Sequence, residues 1–315
     1  MKFSLPTVSL ALAAMLLLNG CAAVPSGDAP SAESATRTVQ TVFGDKEVPV
    51  DPQRIVIVRT NALDTALALG IEPVGTTYWG GGSGLPGYLA AEAPKDMALI
   101  GTDDEPDFEA IAALKPDLII GDESIENNLE TFESIAPVAA YDSLNAEGRS
   151  DWREHLAAIA GFTGREDKAN TVIASFDEMV ADLDADIANK GQTVIPLRVR
   201  ADQVRHYLPE SLVSAGVLQG LRSIKLPGPI VASENDEWSV IPAEQLSVLD
   251  ADTIIAFIDS TEAYESLQQQ SLWRALPAVQ NDKVCVSENQ AAWILAGPSA
   301  AKIVAQDVRE CLATS

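Results

Sequence analysis

In mid-chain, apolar residues recur at Ala169, Val172, Ile173, Phe176, Met179, Val180, Leu183 and Ile187. Steps of three and four put them on one stripe of a helix with 3.6 residues per turn, so the stretch 164–191 is predicted as one long amphipathic helix. Thr163 and Glu166 have the spacing of a capping box at its start, and Gly191 suits the left-handed residue just past its end. At 1.5 Å per residue this helix would run roughly 35–40 Å, about the width of a domain.

On either side of it the pattern switches to short apolar runs alternating with helical segments. Strands are predicted at 54–58, 73–76, 99–101, 117–121 and near Val138, with helices at 62–69, 107–114, 124–135 and 151–160. Beyond the long helix, strands at 193–200 and 204–208 pair across Ala201-Asp202-Gln203. Helices at 211–219 and 242–249 follow, then a strand at 252–257, a helix at 263–270, a strand at 283–287 and a closing helix at 298–312. Strands alternating with helices through short loops imply mainly parallel sheets covered on both faces. The halves also share a segment: 108–120 matches 243–255 at Glu109/Glu244, Ile111/Leu246, Leu114/Leu249, Asp117/Asp252, Ile119/Ile254 and Ile120/Ile255. The expected fold is α/β, two Rossmann-like lobes joined by one backbone helix, with a ligand cleft between them. The lobes take residues 38–163 and 192–315.

A chain of 315 residues with 47% hydrophobic content can fill two cores. Its formal net charge of −25 argues against nucleic acid, because phosphate binding needs basic patches. An anionic ligand would be met by a few Arg residues. The N-terminus has Lys2 and then an apolar run from Leu5 to Leu18, too short for a comfortable membrane span. It ends in Leu18-Asn19-Gly20-Cys21, which is similar to a bacterial lipobox. Residues 1–20 then form a signal peptide, Cys21 carries the lipid, and 21–37 form a disordered tether of Pro, Ser and Ala. The mature protein is expected on the outer face of the cytoplasmic membrane, as a monomer. In that oxidising compartment Cys285 and Cys311 are expected to form a disulfide worth roughly 3 kcal/mol.

The chemistry-bearing residues exclude several classes. The Gly-rich stretch 78–86 lacks the Gly-Lys-Ser/Thr of a phosphate loop. With His155 and His206 as the chain's two histidines, a directly bound zinc or manganese ion is not expected, and His155 falls on an amphipathic helix as a structural residue. A Ser-His-Asp hydrolase, the rival class, would want a Gly-x-Ser-x-Gly elbow that the chain lacks.

Several stretches together resemble the solute-binding lipoproteins that feed iron–siderophore ABC importers. They are Arg54-Ile55-Val56 with Leu63-Asp64, the run from Leu67 to Gly75, Ile100-Gly101-Thr102, the Glu109–Ile120 segment, Gly164-Arg165-Glu166, Leu272-Trp273 before Leu276-Pro277-Ala278-Val279, and Trp293 with Gly297 and Ala300-Ala301. The resemblance spans nearly the whole mature chain. It implies a rigid two-lobed fold, no catalysis, no resident cofactor, a ferric siderophore as ligand and an ABC permease dimer as partner. Relatives in that family carry haem or cobalamin, which stay as alternatives; for haem, Tyr78, Tyr88 or Tyr207 would supply an axial oxygen.

Ligand candidates follow from strand ends. Arg59 follows the first strand of the N-terminal half. Arg198 and Arg200 share one face of their strand, and Arg205 and Tyr207 share a face of the next, as an Arg-x-Tyr that the resemblance associates with siderophore contact. Trp79, Trp238 and Trp293 are read as loop residues near strand ends, suited to cover the organic shell of such a complex. The resemblance also implies that Glu109 and Glu244, one per lobe, dock onto Arg residues of the permease.

Overall fold

The computed structural model describes residues 35–79, 84–144, 151–209, 211, 216–231, 237–295 and 297–313. The expected signal peptide, Cys21 and most of the tether lie outside these residues. The end of the tether does not: Thr36–Thr41 (β1) and Gly44–Pro49 (β2) form an antiparallel hairpin. Val39 and Val48 bury one side chain per strand, and Gly44 takes the turn at φ +88°. With a single buried residue on each strand, the hairpin leaves little periodicity to read.

The N-terminal sheet has the order β5-β4-β3-β6-β7, all parallel: Ile55–Ile57 (β3), Gly75–Tyr78 (β4), Ala98–Thr102 (β5), Leu118–Asp122 (β6) and Val138–Tyr141 (β7). Helices Thr60–Ala68 (α1), Gly87–Glu92 (α2), Phe108–Ala113 (α3), Leu129–Glu133 (α4) and Trp152–Thr163 (α5) connect it. The single helix expected at 124–135 is broken. Glu123–Asn128 winds as a 3-10 turn, started by Asp122 accepting from the backbone N–H of Ser124, before α4 begins.

The backbone helix is Glu166–Asp186 (α6), 21 residues and so about 31 Å, shorter than the pattern suggested. Its expected caps are both corrected. Thr163 belongs to α5 and gives its hydroxyl to the carbonyl of Ile159. Gly164, left-handed at φ +68°, closes α5 while the N–H of Arg165 reaches back to Ala160. At the other end the chain leaves the helix at Ile187 to bury that side chain, and the next N–H is taken by the carbonyl of Leu312. Gly191 is left-handed but serves the entry to the following strand.

The C-terminal sheet contains Gln192–Val199 (β8), Val204–Tyr207 (β9), Ile224–Lys225 (β10), Trp238–Ile241 (β11), Thr253–Ile258 (β12) and Val284–Ser287 (β13). Its order is β11-β9-β8-β12-β13, with β10 beside the start of β8 and β9 antiparallel to both of its neighbours. The helices are Val217–Gly220 (α7), Thr261–Gln269 (α8), Ser271–Arg274 (α9), Pro277–Gln280 (α10), Gln290–Ile294 (α11) and Pro298–Leu312 (α12). The helix expected at 211–219 is described only as α7, since residues 212–215 lie outside the described set. That at 242–249 is a 3-10 helix over Ala243–Val248. Cys285 and Cys311 are bonded, Cα to Cα 5.8 Å, which ties β13 to α12.

The repeated segments do the same work in each lobe. Asp117 accepts the backbone N–H groups of Gln53 and Arg54 at 2.8 and 2.9 Å, fixing the start of β3; Asp252 accepts that of Thr193 at 2.8 Å, fixing the start of β8. Each Asp returns its own N–H to the carbonyl of the residue it holds, Arg54 or Thr193.

One apolar core runs through both lobes. It takes Leu63, Leu118 and Ile120 from the first, Phe176, Val180 and Leu183 from α6, Ile255, Phe257 and Trp293 from the second, and Val304 and Val308 from α12. Separate clusters pack the outer faces of the two sheets. Although its sequence lies in the expected C-terminal lobe, α12 packs on α1 and α2 as well as on α6. Its first turn is held by Asp64 of α1, 1% exposed, which accepts from the N–H groups of Ser299 at 2.8 Å and Ala300 at 3.0 Å. Burial lifts this carboxyl to about 6, and the two backbone donors pull the other way.

His206 is the discordant core residue. It is fully buried on β9, and among the described residues both ring nitrogens lack a partner. Burial pushes its pKa down to about 4. Below the ordinary value of about 6.5 the unfolded chain takes up a proton that the folded one refuses, so stability falls as pH drops from there through 4. The His206→Phe variant should escape this loss. Its advantage over the parent in unfolding free energy should widen by up to about 3 kcal/mol between pH 7 and pH 4. A difference independent of pH would show that His206 is not held neutral.

Candidate functional site

In each sheet the central parallel pair, β3/β6 and β8/β12, carries an Arg–Asp bridge at its carboxyl end. At such ends open α/β sheets build their ligand sites, where the chain turns from one side of the sheet to the other. Arg59 donates from Nε to Asp122 Oδ2 at 3.1 Å, with Asp104 3.9 Å from Nη1. Arg198 grips Asp259 with both Nε and Nη2, at 2.8–3.1 Å. Arg59 stands as far beyond Arg54 as Arg198 does beyond Thr193, so the two occupy matching places in the two lobes.

The first lobe's rim is built on strain. Arg59 has φ +116° and ψ 131°, a region that a residue with a Cβ enters at a cost of order 1–3 kcal/mol. Its N–H donates to Thr77 Oγ1 at 2.8 Å, and its carbonyl receives the first helical bond of α1, from Leu63. Asp103 locks the corner by accepting from the Thr60 backbone and from the hydroxyls of Thr60 and Thr77. Beside them burial would raise Glu123, but hydrogen bonds from Ser143 and the charge of Arg59 outweigh it and hold this carboxyl below the usual range. The rim is therefore acidic, with Arg59 among several carboxylates. Trp79 follows β4 and is 37% exposed.

The second lobe presents its Arg residues in different states. Arg198 is 6% exposed. Burial opposes its charge, and the bonds to Asp259 and to the Tyr207 hydroxyl more than restore it, so its pKa rises. Arg200, in the turn after β8, pairs with Asp202 at 3.2 Å. Beside it lies a concavity of about 330 Å³ whose lining includes Gln203, Val240, Ala263 and Leu267. Arg205 differs. Its guanidinium lies 4.5 Å from the centre of the Trp238 ring, its Nε donates to Gln203 Oε1, and among the described residues no carboxylate stands within bridging distance.

Other expected contacts are corrected. Trp293 is not in a loop: it sits in α11, fully buried, stacked on Phe257 at 5.3 Å, with Nε1 donating to Asp307. Tyr207 is 4% exposed between Trp238 and Phe257. Trp238 opens a strand, β11. As haem ligands, Tyr207 and Tyr88 are poorly placed, because Tyr207 is spent on Arg198 and the Tyr88 hydroxyl is buried beside Asp64 and Glu92. His155 has a structural setting: its ring lies tilted against Tyr141 at 4.8 Å, and Nε2 lies 3.1 Å from the Ser143 carbonyl. Glu109 and Glu244 are exposed, each in the first turn of its short helix. The sequence reading missed Asp122, Asp259 and Gln203, the partners that decide which Arg is committed. Asp122 and Asp259 each end an apolar strand of the repeated unit, and that position was the available signal.

Two α/β lobes around a rigid helix, with paired charges at the strand ends, define a solute-binding protein. The chain belongs to the periplasmic binding protein family, whose model matches residues 55–291. It is a family of binding proteins, and the chain is not an enzyme. The probable siderophore-binding lipoprotein YfiY of Bacillus subtilis is 30% identical over 297 residues, covering 89% of each chain. The Fe(3+)-citrate-binding protein YfmC of the same organism is 27% identical over 320 residues, covering 96% of this chain and 94% of that one. In fold, the crystal structure of Staphylococcus aureus SirA complexed with staphyloferrin B matches 87% of this chain and 98% of its own, with a TM-score of 0.69 at 21% identity.

Proposed function

We propose that this protein captures a ferric siderophore outside the cytoplasmic membrane and delivers it to an ABC importer. The family and the ligands named for its relatives support that class of cargo. The observation that carries the site is Arg205, a cation backed by an aromatic face and, among the described residues, without a carboxylate. Arg59, Arg198 and Arg200 already have theirs. A negatively charged chelate can take the free guanidinium edge while Trp238 covers part of its organic shell. Arg200 extends this surface, Arg59 and Trp79 stand on the rim of the first lobe, and Arg198 with Tyr207 holds the strand beneath. The iron stays in the siderophore's own chelate.

Titrating tryptophan fluorescence with catecholate, hydroxamate and carboxylate ferric siderophores, haemin and cobalamin should show saturation by a ferric siderophore. Arg205→Ala should weaken that complex by roughly 1.5–3 kcal/mol, the range for a charge-assisted bond. Saturation by haemin or cobalamin alone, or an unchanged affinity in the variant, would overturn the assignment.

Delivery completes the reading. Glu109 and Glu244 sit at matching positions of the repeat, one per lobe, exposed and without an ion pair among the described residues. They are suited to meet two symmetry-related permease subunits through rim contacts that set register and on-rate more than affinity. Cys21, the expected lipidation site, anchors the mature chain. In cells, a Glu109→Ala/Glu244→Ala chain should bind siderophore normally yet import it poorly, and a Cys21→Ala chain should leave the membrane fraction. Full uptake by the double variant would reduce both carboxylates to helix-terminal charges, and membrane retention of Cys21→Ala would remove the anchor.

A further inference from the structure

We propose that the groove between α6 and α12 is a second binding site, for a compact carboxylate with an apolar body. It does not rest on the siderophore reading. The stripe of α6 that the periodicity assigns to packing is incompletely covered. Phe176 is buried, Met179 is half-buried, and opposite them Pro298 starts α12, leaving a cavity of about 270 Å³. That is near the lower end of the volumes small-molecule sites use, so the occupant is small.

The rim supplies the charge. Lys168 of α6 and Lys302 of α12 flank the cavity from two different helices, and neither pairs with a carboxylate among the described residues. Among the described residues, no Asp or Glu lines it. In a chain with 46 acidic residues against 21 Lys and Arg, a concavity with two cations and no carboxylate runs against the composition. The adjoining helix end does not account for the charge preference. The first N–H groups of α12 are already taken by Asp64, so an anion would be held by the lysines. Of the hydroxyls lining it, Thr171 is spent on the Asp167 carbonyl, while Ser175 has no partner among the described residues and can donate.

An apolar floor beneath two cations and a free hydroxyl selects an amphipathic anion over a neutral molecule or a bare ion. Because Ala68, at the end of α1, also lines the cavity, such a ligand would touch α1, α6 and α12 together.

Met179 gives a direct readout. The chain has 4 methionines, and with methyl-labelled methionine the Met179 resonance reports on the cavity while Met97, outside it, serves as the reference. In the full chain, phenylacetate should shift the Met179 methyl saturably and leave Met97 in place. Lys168→Gln and Lys302→Gln should each weaken binding by about tenfold or more, and 2-phenylethanol, nearly the same shape without the charge, should bind at least about tenfold more weakly than phenylacetate. The unchanged Met97 resonance confirms that the variants fold. No saturable shift, equal affinity in the Lys168→Gln/Lys302→Gln double variant, or equal binding of the alcohol would overturn the proposal.

Discussion

Everything in this molecule depends on an apolar core that the two lobes share. A two-domain protein ordinarily keeps a core in each domain and a wetter interface between them. Here the stripe of α6, the inner face of α12 and the inner faces of both sheets form one contiguous cluster. Moving the lobes apart would expose that surface at about 25 cal/mol for each Å² of apolar area. Asp64 adds a directional lock, since displacing α12 would strand a buried carboxylate and two backbone donors. Among the described residues, the joint also contains no pair of extended strands to act as a hinge.

A rigid frame explains how the rims are built. If closure does not assemble the proposed site, the groups on the rims must be held in place beforehand, and strain and hydrogen bonds hold them. Arg59 keeps a left-handed backbone because Thr77 and Asp103 over-determine its position. Arg198 is fixed by a two-point bridge to Asp259 at the corresponding place in the other lobe. The net charge of −25 is then compatible with an anionic ligand, because the proposed recognition charge is local: Arg59, Arg198 and Arg200 each pair with a carboxylate, and among the described residues Arg205 faces Trp238 without one.

The fold was largely legible in the sequence because it rests on long-range periodicity. The buried strands 54–58, 117–121 and 252–257, the amphipathic α6 and α12, and the repeat containing Asp117 and Asp252 all advertise themselves through apolar spacing. Elements with one buried residue, such as β1 and β2, did not, and spacing alone could not separate a 3-10 turn from an α-helix at Glu123–Asn128 or Ala243–Val248. The cap at Thr163 failed because two helices compete for one short linker, and Gly164 ends the first where the pattern began the second. At the candidate site, the sequence named cations but not their partners. Whether Arg198 or Arg205 is free depends on Asp259 and Trp238, distant along the chain, and Trp293 gave no sign that Phe257 and Asp307 would bury it.

The central claim is that the shared core holds the lobes at a fixed angle, so that ligand binds to a preformed frame. Small-angle X-ray scattering of the mature chain, with and without a saturating ferric siderophore, measures this directly. A shared core predicts superimposable profiles and a radius of gyration unchanged within error, because closure amounts to a few degrees of tilt. A contraction of several ångströms on binding would contradict it, showing that the lobes hinge and that the core between them opens.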